Sequence, residues 1–223
     1  MTQELITALD EATADKRLLE HPFYQAWAAG TLTQDDLAFY STQYWRQVEA
    51  FPGYLESLSA RMDDGTARKS IEENLADERD DDHPGLWVRF AEALGKQRAA
   101  LDAAKVESET AACVDAFATA TKESSVPFAL GMLYAYESQT PEVAETKVKG
   151  LKDFYGVTGP AADYFHLHGE LDVEHSSELA AAIDEIATTD EQRAEAVAGA
   201  AAGAAAIYGL LDGVARVRNI DCN

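Results

Sequence analysis

Two cysteines, Cys113 and Cys222, are all the chain has. No disulfide framework is implied, so a hydrophobic core must hold the fold together. Basic residues are also scarce: 18 Lys and Arg stand against 40 Asp and Glu, for a formal charge of −22. That balance argues against nucleic acid as a partner, because phosphate binding needs clustered cations, and equally against an anionic membrane surface. The small share of lysine within the acidic excess implies a salt-adapted protein whose self-repulsion is screened by ions. Full stability in dilute buffer would contradict that implication. The N-terminal residues Met1 to Thr7 lack a basic region followed by an apolar core, so no signal peptide is expected. No apolar run reads as membrane-spanning, since the Ala-rich stretch near 196–211 is interrupted by glycines and flanked by charge. The expectation is a reduced, cytoplasmic protein. Alternating strand patterns, internal repeats and low-complexity linkers are missing as well.

What is present is helical periodicity. The chain has 223 residues, 47% of them hydrophobic, which suits one well-buried domain. A first helix is predicted over 3–19 and is ended or bent at His21-Pro22, because the residue before proline leaves the helical region. Phe23, Tyr24 and Trp27 then form a short aromatic helix closed by Gly30. Thr33 is a good N-cap, with Asp35 and Asp36 in the first turn of a helix that runs to about Arg61 and bends near Pro52-Gly53. Further helices are expected over 66–79, from Pro84 to Leu94, and over 108–121. Others follow from Ser124 to Glu137, from Pro141 to Tyr155, from Gly159-Pro160 to about Ile186, and over 190–217. Residues 96–107 read as a loop with a short helix. The fold class is all-α, a helical bundle of about eight or more helices.

Three of the five histidines lie in Tyr164-Phe165-His166-Leu167-His168-Gly169-Glu170-Leu171-Asp172-Val173-Glu174-His175. His168, Asp172 and His175 follow i, i+4, i+7 spacing, so two imidazoles and a carboxylate project from one helix face. That donor set suits iron, manganese or zinc. His166 sits about 160° away and does not belong to the row. A dinuclear site inside a bundle needs about six ligands, with carboxylates as bridges. Glu137 is a carboxylate in the otherwise apolar run Gly131-Met132-Leu133-Tyr134-Ala135-Tyr136, where an acid needs a partner or a metal. Glu78 ends one amphipathic helix and His83 begins the next. On a continuous helix they would be about 140° apart, so they converge only if the chain breaks at Asp80-Asp81-Asp82 and Pro84. Glu78, His83, Glu137, His168, Asp172 and His175 together point to a redox-active dinuclear iron or manganese–iron centre rather than to zinc.

The chain resembles the haem-oxygenase-like dimetal oxidases, with a TenA/PqqC-like fold, and within them the para-aminobenzoate synthases of the chlamydial type. The resemblance is carried by Glu20-His21-Pro22-Phe23-Tyr24-Gln25-Ala26-Trp27, Gly30-Thr31-Leu32-Thr33 and Ala50-Phe51-Pro52-Gly53-Tyr54-Leu55. It continues through Asn74-Leu75-Ala76-Asp77-Glu78 and Leu133-Tyr134-Ala135-Tyr136-Glu137-Ser138-Gln139-Thr140-Pro141. It implies one helical domain over residues 1–223, two metal ions (Fe/Fe or Mn/Fe) held by the six residues above, O₂ as co-substrate and an external reductant. It also implies that the product ring derives from Tyr24, that Lys147 donates the amino group, and that Tyr40, Tyr136 and Tyr164 stand near the site as electron or radical relays. The product would feed folate-type cofactors. Between Glu78 and His83 this chain is slightly shorter than the family pattern, which leaves Asp77, Asp80 or Asp81 as substitutes for Glu78. Alternative readings are a dimetal oxidase acting on a separate amino acid or fatty acid, and a non-catalytic TenA-like binding or regulatory protein. A homodimer is compatible with the sequence.

Overall fold

The computed structural model describes residues 3–220, so Cys222 lies outside the described residues. Eleven α-helices follow one another, with no strand among the described residues. The first helix is α1 (Gln3–Thr13), shorter than the 3–19 run that periodicity suggests. Thr13 Oγ1 donates to the Asp10 carbonyl at 3.0 Å, a side-chain bond that competes with the helix. Arg17 is extended, and this turns Leu18 into the core, where its amide donates to Gln139 Oε1 at 2.8 Å. A tertiary contact thus overrides the local pattern. His21 is extended as the proline rule requires, and its ring accepts the Phe23 amide to cap α2 (Pro22–Ala29). Gly30 closes α2 in the left-handed region, at φ 69°.

Thr33 caps α3 (Gln34–Ser59) by accepting the Asp36 amide, and Asp36 in return accepts the Thr33 amide at 2.8 Å. The helix continues through Pro52 and lays Tyr40, Tyr44, Phe51 and Tyr54 along its buried side. The next helices are α4 (Thr66–Asp80), α5 (His83–Ala93), α6 (Arg98–Asp102) and α7 (Ser108–Glu123). At the centre is α8 (Val126–Glu137), apolar on all sides and buried accordingly, with Glu137 its only charged residue.

The predicted run 141–155 divides in two: α9 (Thr140–Gly150), then a π turn over Leu151–Tyr155. Trp27 stands at this junction. A Cβ on Gly150 would lie 2.6 Å from its ring, and its indole donates to the Lys147 carbonyl at 3.3 Å. Gly159 and Pro160 form a 3-10 turn rather than the first turn of α10, which is Asp163–Ile186.

The last helix, α11 (Asp190–Arg218), corrects the reading that no apolar run here reaches membrane-spanning length. Its 29 residues are long and apolar enough to cross a membrane, and half of the apolar window is buried against other helices. The glycines that interrupt it in sequence allow close packing on α8. A Cβ on Gly199 would come within 2.0 Å of the Phe128 carbonyl, and one on Gly131 of α8 within 2.0 Å of the Ala196 carbonyl. Helices α3, α4, α8, α9 and α10 pack around the interior that holds the predicted site.

Candidate metal centre

Glu78 and His83 meet because α4 does not continue into α5. Asp81 ends α4, and Asp82 adopts a left-handed conformation at φ 50° and ψ 49°. Its carboxylate then accepts the Gly85 amide at 3.2 Å and restarts the helix with Pro84 in the first turn. Aspartate tolerates this conformation because its short side chain bonds locally. The turn brings His83 Nδ1 to 2.9 Å from Glu78 Oε1, both side chains buried. Of the substitutes for Glu78, Asp80 and Asp81 are exposed. Asp77 is half-buried and has a different place in the site.

From α10, His168, Asp172 and His175 all point into the protein, while His166 is exposed. His168 Nδ1 faces the Tyr164 carbonyl at 2.7 Å, which leaves Nε2 aimed at Glu78 Oε1, 3.8 Å away. His175 Nε2 lies 3.1 Å from Asp77 Oδ2, and its Nδ1 faces Asp172 Oδ1 at 3.6 Å. His168 and His175 thus each have one nitrogen fixed from behind and the other turned inward, the usual arrangement behind histidine ligands. Glu137 Oε1 accepts from Asn74 Nδ2 at 2.9 Å.

Several inward atoms have no hydrogen-bond partner: His83 Nε2, Glu137 Oε2 and Asp172 Oδ2. Orphaned buried polar atoms are costly, and here they belong to metal-ligating residue types. Glu78, His83 and His168 offer ligand atoms all within 4.8 Å of one another. Glu137, Asp172 and His175 form a second group that interacts electrostatically with the first. Burial alone would raise the Glu78 carboxyl, but bonding to His168 and His83 outweighs it and holds the group at about 2. Burial and the nearby Asp172 push Glu137 up to about 8, against the pull of His175 and Asn74. Burial opposes the charge on His175, yet Asp172, Glu137 and Asp77 raise it to about 9. Two carboxylates forced together in a dry interior need positive charge, and metal cations would supply it. The donor set fits.

A second cluster adjoins this centre. Lys147 of α9 is buried, and its Nζ donates to the Tyr40 hydroxyl at 2.8 Å. The same Nζ lies 5.3 Å from the Tyr24 ring centroid, and Tyr24 and Tyr40 share a hydrogen bond. Burial lowers Lys147 to about 7 and raises the Tyr24 phenol. From Tyr40 the aromatic chain continues to Tyr44 (centroids 5.3 Å apart), whose hydroxyl donates to Tyr136 at 3.1 Å. Tyr136 bonds Tyr164, which stacks on His168 at 4.0 Å. The five predicted residues Tyr24, Lys147, Tyr40, Tyr136 and Tyr164 therefore sit together beside the ligand set. Tyr44 and Asn74 were not foreseen as site residues. Each lies four residues from a predicted one, Tyr40 and Glu78 respectively, and shares its helix face.

Residues 38–208 match a protein-family model described as an iron-containing redox enzyme. The chain belongs to this family. As an iron-containing redox enzyme it has a buried carboxylate–imidazole centre where the family's metal would be held. Its fold is haem-oxygenase-like, as the sequence resemblance implies. A TenA homologue from Pseudomonas syringae superposes with a TM-score of 0.83 at 20% identity, covering 96% of this chain and 92% of that one. The chain is 35% identical over 196 residues to a 4-aminobenzoate synthase of Chlamydia muridarum, spanning 86% of this chain and 83% of that protein. It is 34% identical over 218 residues to a 4-aminobenzoate synthase of Nitrosomonas europaea, spanning 92% and 89%.

Proposed function

We propose that the protein is a dimetal oxygenase that makes 4-aminobenzoate from its own Tyr24 ring, with Lys147 as the amino donor. The relatives named 4-aminobenzoate synthase support the product. The observation that carries the self-sacrificing reaction is the lack of room for anything else. The cavity between Lys147 and His168 is only about 20 Å³, lined also by Tyr44, Tyr136, Tyr164 and Phe165. A separate organic substrate needs a pocket of about 300 Å³ or more. With the Phe165 ring in place a free amino acid or fatty acid does not fit in this cavity, whereas phenol rings and an amine already line it.

The product's carbon skeleton agrees. 4-Aminobenzoate is a benzene ring with one carbon substituent para to nitrogen; a tyrosine side chain has its Cβ para to oxygen. Nitrogen must replace the phenol oxygen, and Cβ must be oxidised to a carboxylate and cut from Cα. Iron, or manganese with iron, held by Glu78, His83, Glu137, His168, Asp172 and His175 would supply oxidation by O₂, with an external reductant providing electrons. The chain's own groups do the rest. Burial keeps a large share of Lys147 neutral near pH 7, so its nitrogen has a free lone pair. Tyr40 accepts a hydrogen bond from that amine and holds it 5.3 Å from the Tyr24 ring. The aromatic walls exclude water, and the tyrosine chain from Tyr24 through Tyr40 and Tyr44 to Tyr136 and Tyr164 offers a path for electrons to the His168 side.

Tyr24→Phe is expected to abolish 4-aminobenzoate formation while leaving bound metal unchanged. Rescue of a 4-aminobenzoate auxotroph by that variant would refute the self-sacrificing reaction. Intact mass after exposure to O₂ and reductant gives a second readout: each chain should lose the Tyr24 side chain and the Lys147 amine nitrogen once. Many equivalents of product per chain would instead indicate an external substrate.

A further inference from the structure

The small cavity beside Lys147 and His168 ends at one ring. Phe165 lines that cavity, and it also lines an open groove of about 730 Å³ between α9 and α10, the only residue common to the two. On its inner side the ring centroid lies 4.9 Å from Lys147 Nζ. Phe90, at 4.9 Å, and Trp87, at 5.8 Å, brace it laterally. The rest of the wall is thin: Ala144 borders the cavity, Gly169 borders the groove, and a Cβ on Gly169 would lie 3.5 Å from that of Ala144.

We propose that the α9–α10 groove is the mouth of the buried centre and that the Phe165 ring is its gate. The ring turns aside to admit neutral molecules of a few heavy atoms, the class to which dioxygen belongs. The passage holds whichever ring is oxidised inside; release of a planar aromatic product by the same gate rests on the reading that Tyr24 is consumed. A second surface pocket, of about 380 Å³, also reaches the cavity, and Val143 lines both. That wall is one side chain thick at Val143; Leu18 lines only the cavity, and its amide is tied to Gln139 at 2.8 Å. Val143 is β-branched on a helix and held to one χ1 rotamer, whereas the Phe165 ring adjoins the thin Ala144–Gly169 wall of the larger groove.

Cyanate tests the passage without any turnover. Its neutral form, isocyanic acid, has three heavy atoms and adds to a neutral amine. The amine lone pair forms the new bond to carbon, a proton passes to the isocyanate nitrogen, and nothing leaves. Lys147, with its affinity for protons lowered by burial, is a suitable target. Carbamylation of each lysine is read by peptide mass in the intact protein, with exposed Lys69 as the reference rate. Alkylation of buried Cys113 reports any loss of the core. Phe165→Ala should speed Lys147 modification several-fold relative to Lys69 with Cys113 still protected, and Val143→Ala should leave it unchanged. An unchanged Lys147 rate in Phe165→Ala, or an equal gain in Val143→Ala, overturns the proposal. If Cys113 becomes reactive in the alanine variant, Phe165→Leu carries the same expectation at smaller amplitude. A leucine variant with a protected core and the wild-type rate also overturns it.

Discussion

Replacing Lys147 with methionine should stabilise the metal-free protein, and the gain should vanish as pH rises. The lysine is fully enclosed, and burial moves it from the ordinary 10.5 to about 7. Below about pH 7 both folded and unfolded chains carry the charge, and the folded state suffers the whole penalty. At about 1.36 kcal/mol for each tenfold change in proton affinity, that penalty is about 5 kcal/mol. Between pH 7 and 10.5 the unfolded chain binds the proton and the folded chain does not, so stability rises with pH and the penalty shrinks. It is about 4 kcal/mol at pH 7 and about 1.5 kcal/mol at pH 9.5. Methionine is apolar and of similar volume, and its cost is mainly the Tyr40 hydroxyl left without the amine, about 1 kcal/mol. The net gain is therefore about 3 kcal/mol at pH 7, falling nearly to zero by pH 9.5. Urea unfolding of chelator-treated wild type and Lys147→Met at several pH values measures it, and other titrations cancel in the difference. A difference that does not change with pH, or a variant less stable at pH 7, would refute the reasoning.

That penalty explains why sequence alone recovers the ligands more readily than the chemistry around them. His168, Asp172 and His175 are legible because one helix face carries all three, and helical spacing is a local property. Glu78 and His83 are legible only through the break between them, which three successive aspartates and Pro84 announce; Asp82 turns left-handed where they fall. Glu137 stands out as the lone charge on an apolar helix. The contacts that tune these groups are between helices and leave no local trace. Asn74 reaches Glu137 from α4, Asp77 backs His175 on α10, and Tyr44 joins the Tyr24–Tyr40 pair to Tyr136. The same cause shortens α1, since the bond that draws Leu18 inward spans 121 positions to Gln139. Periodicity records which face is buried; it does not record what that face meets.

Three further results would test the centre and its packing. Glu78→Gln removes the anion that His83 and His168 share, and iron affinity measured by chelator competition should drop more than about tenfold, with unchanged affinity counting against the ligand set. Asp77→Asn should weaken metal binding by about 10–100-fold through the loosened His175 ring, although Asp77 itself stands outside the cluster; no loss would make it a surface residue only. The glycines of α11 give a test of opposite signs. Alanine is about 1 kcal/mol better than glycine within a helix, so Gly209→Ala, with nothing within 4 Å of its new Cβ, should raise the thermal midpoint. At Gly199 the new methyl would meet the Phe128 carbonyl at 2.0 Å, and that backbone cannot yield without moving α8. Overpacking of about 1–3 kcal/mol should then exceed the helix gain and lower the midpoint. Equal gains in both variants would mean that α11 and α8 are not held in contact by these glycines, and the close approach that fixes α8, and with it Glu137, would need another cause.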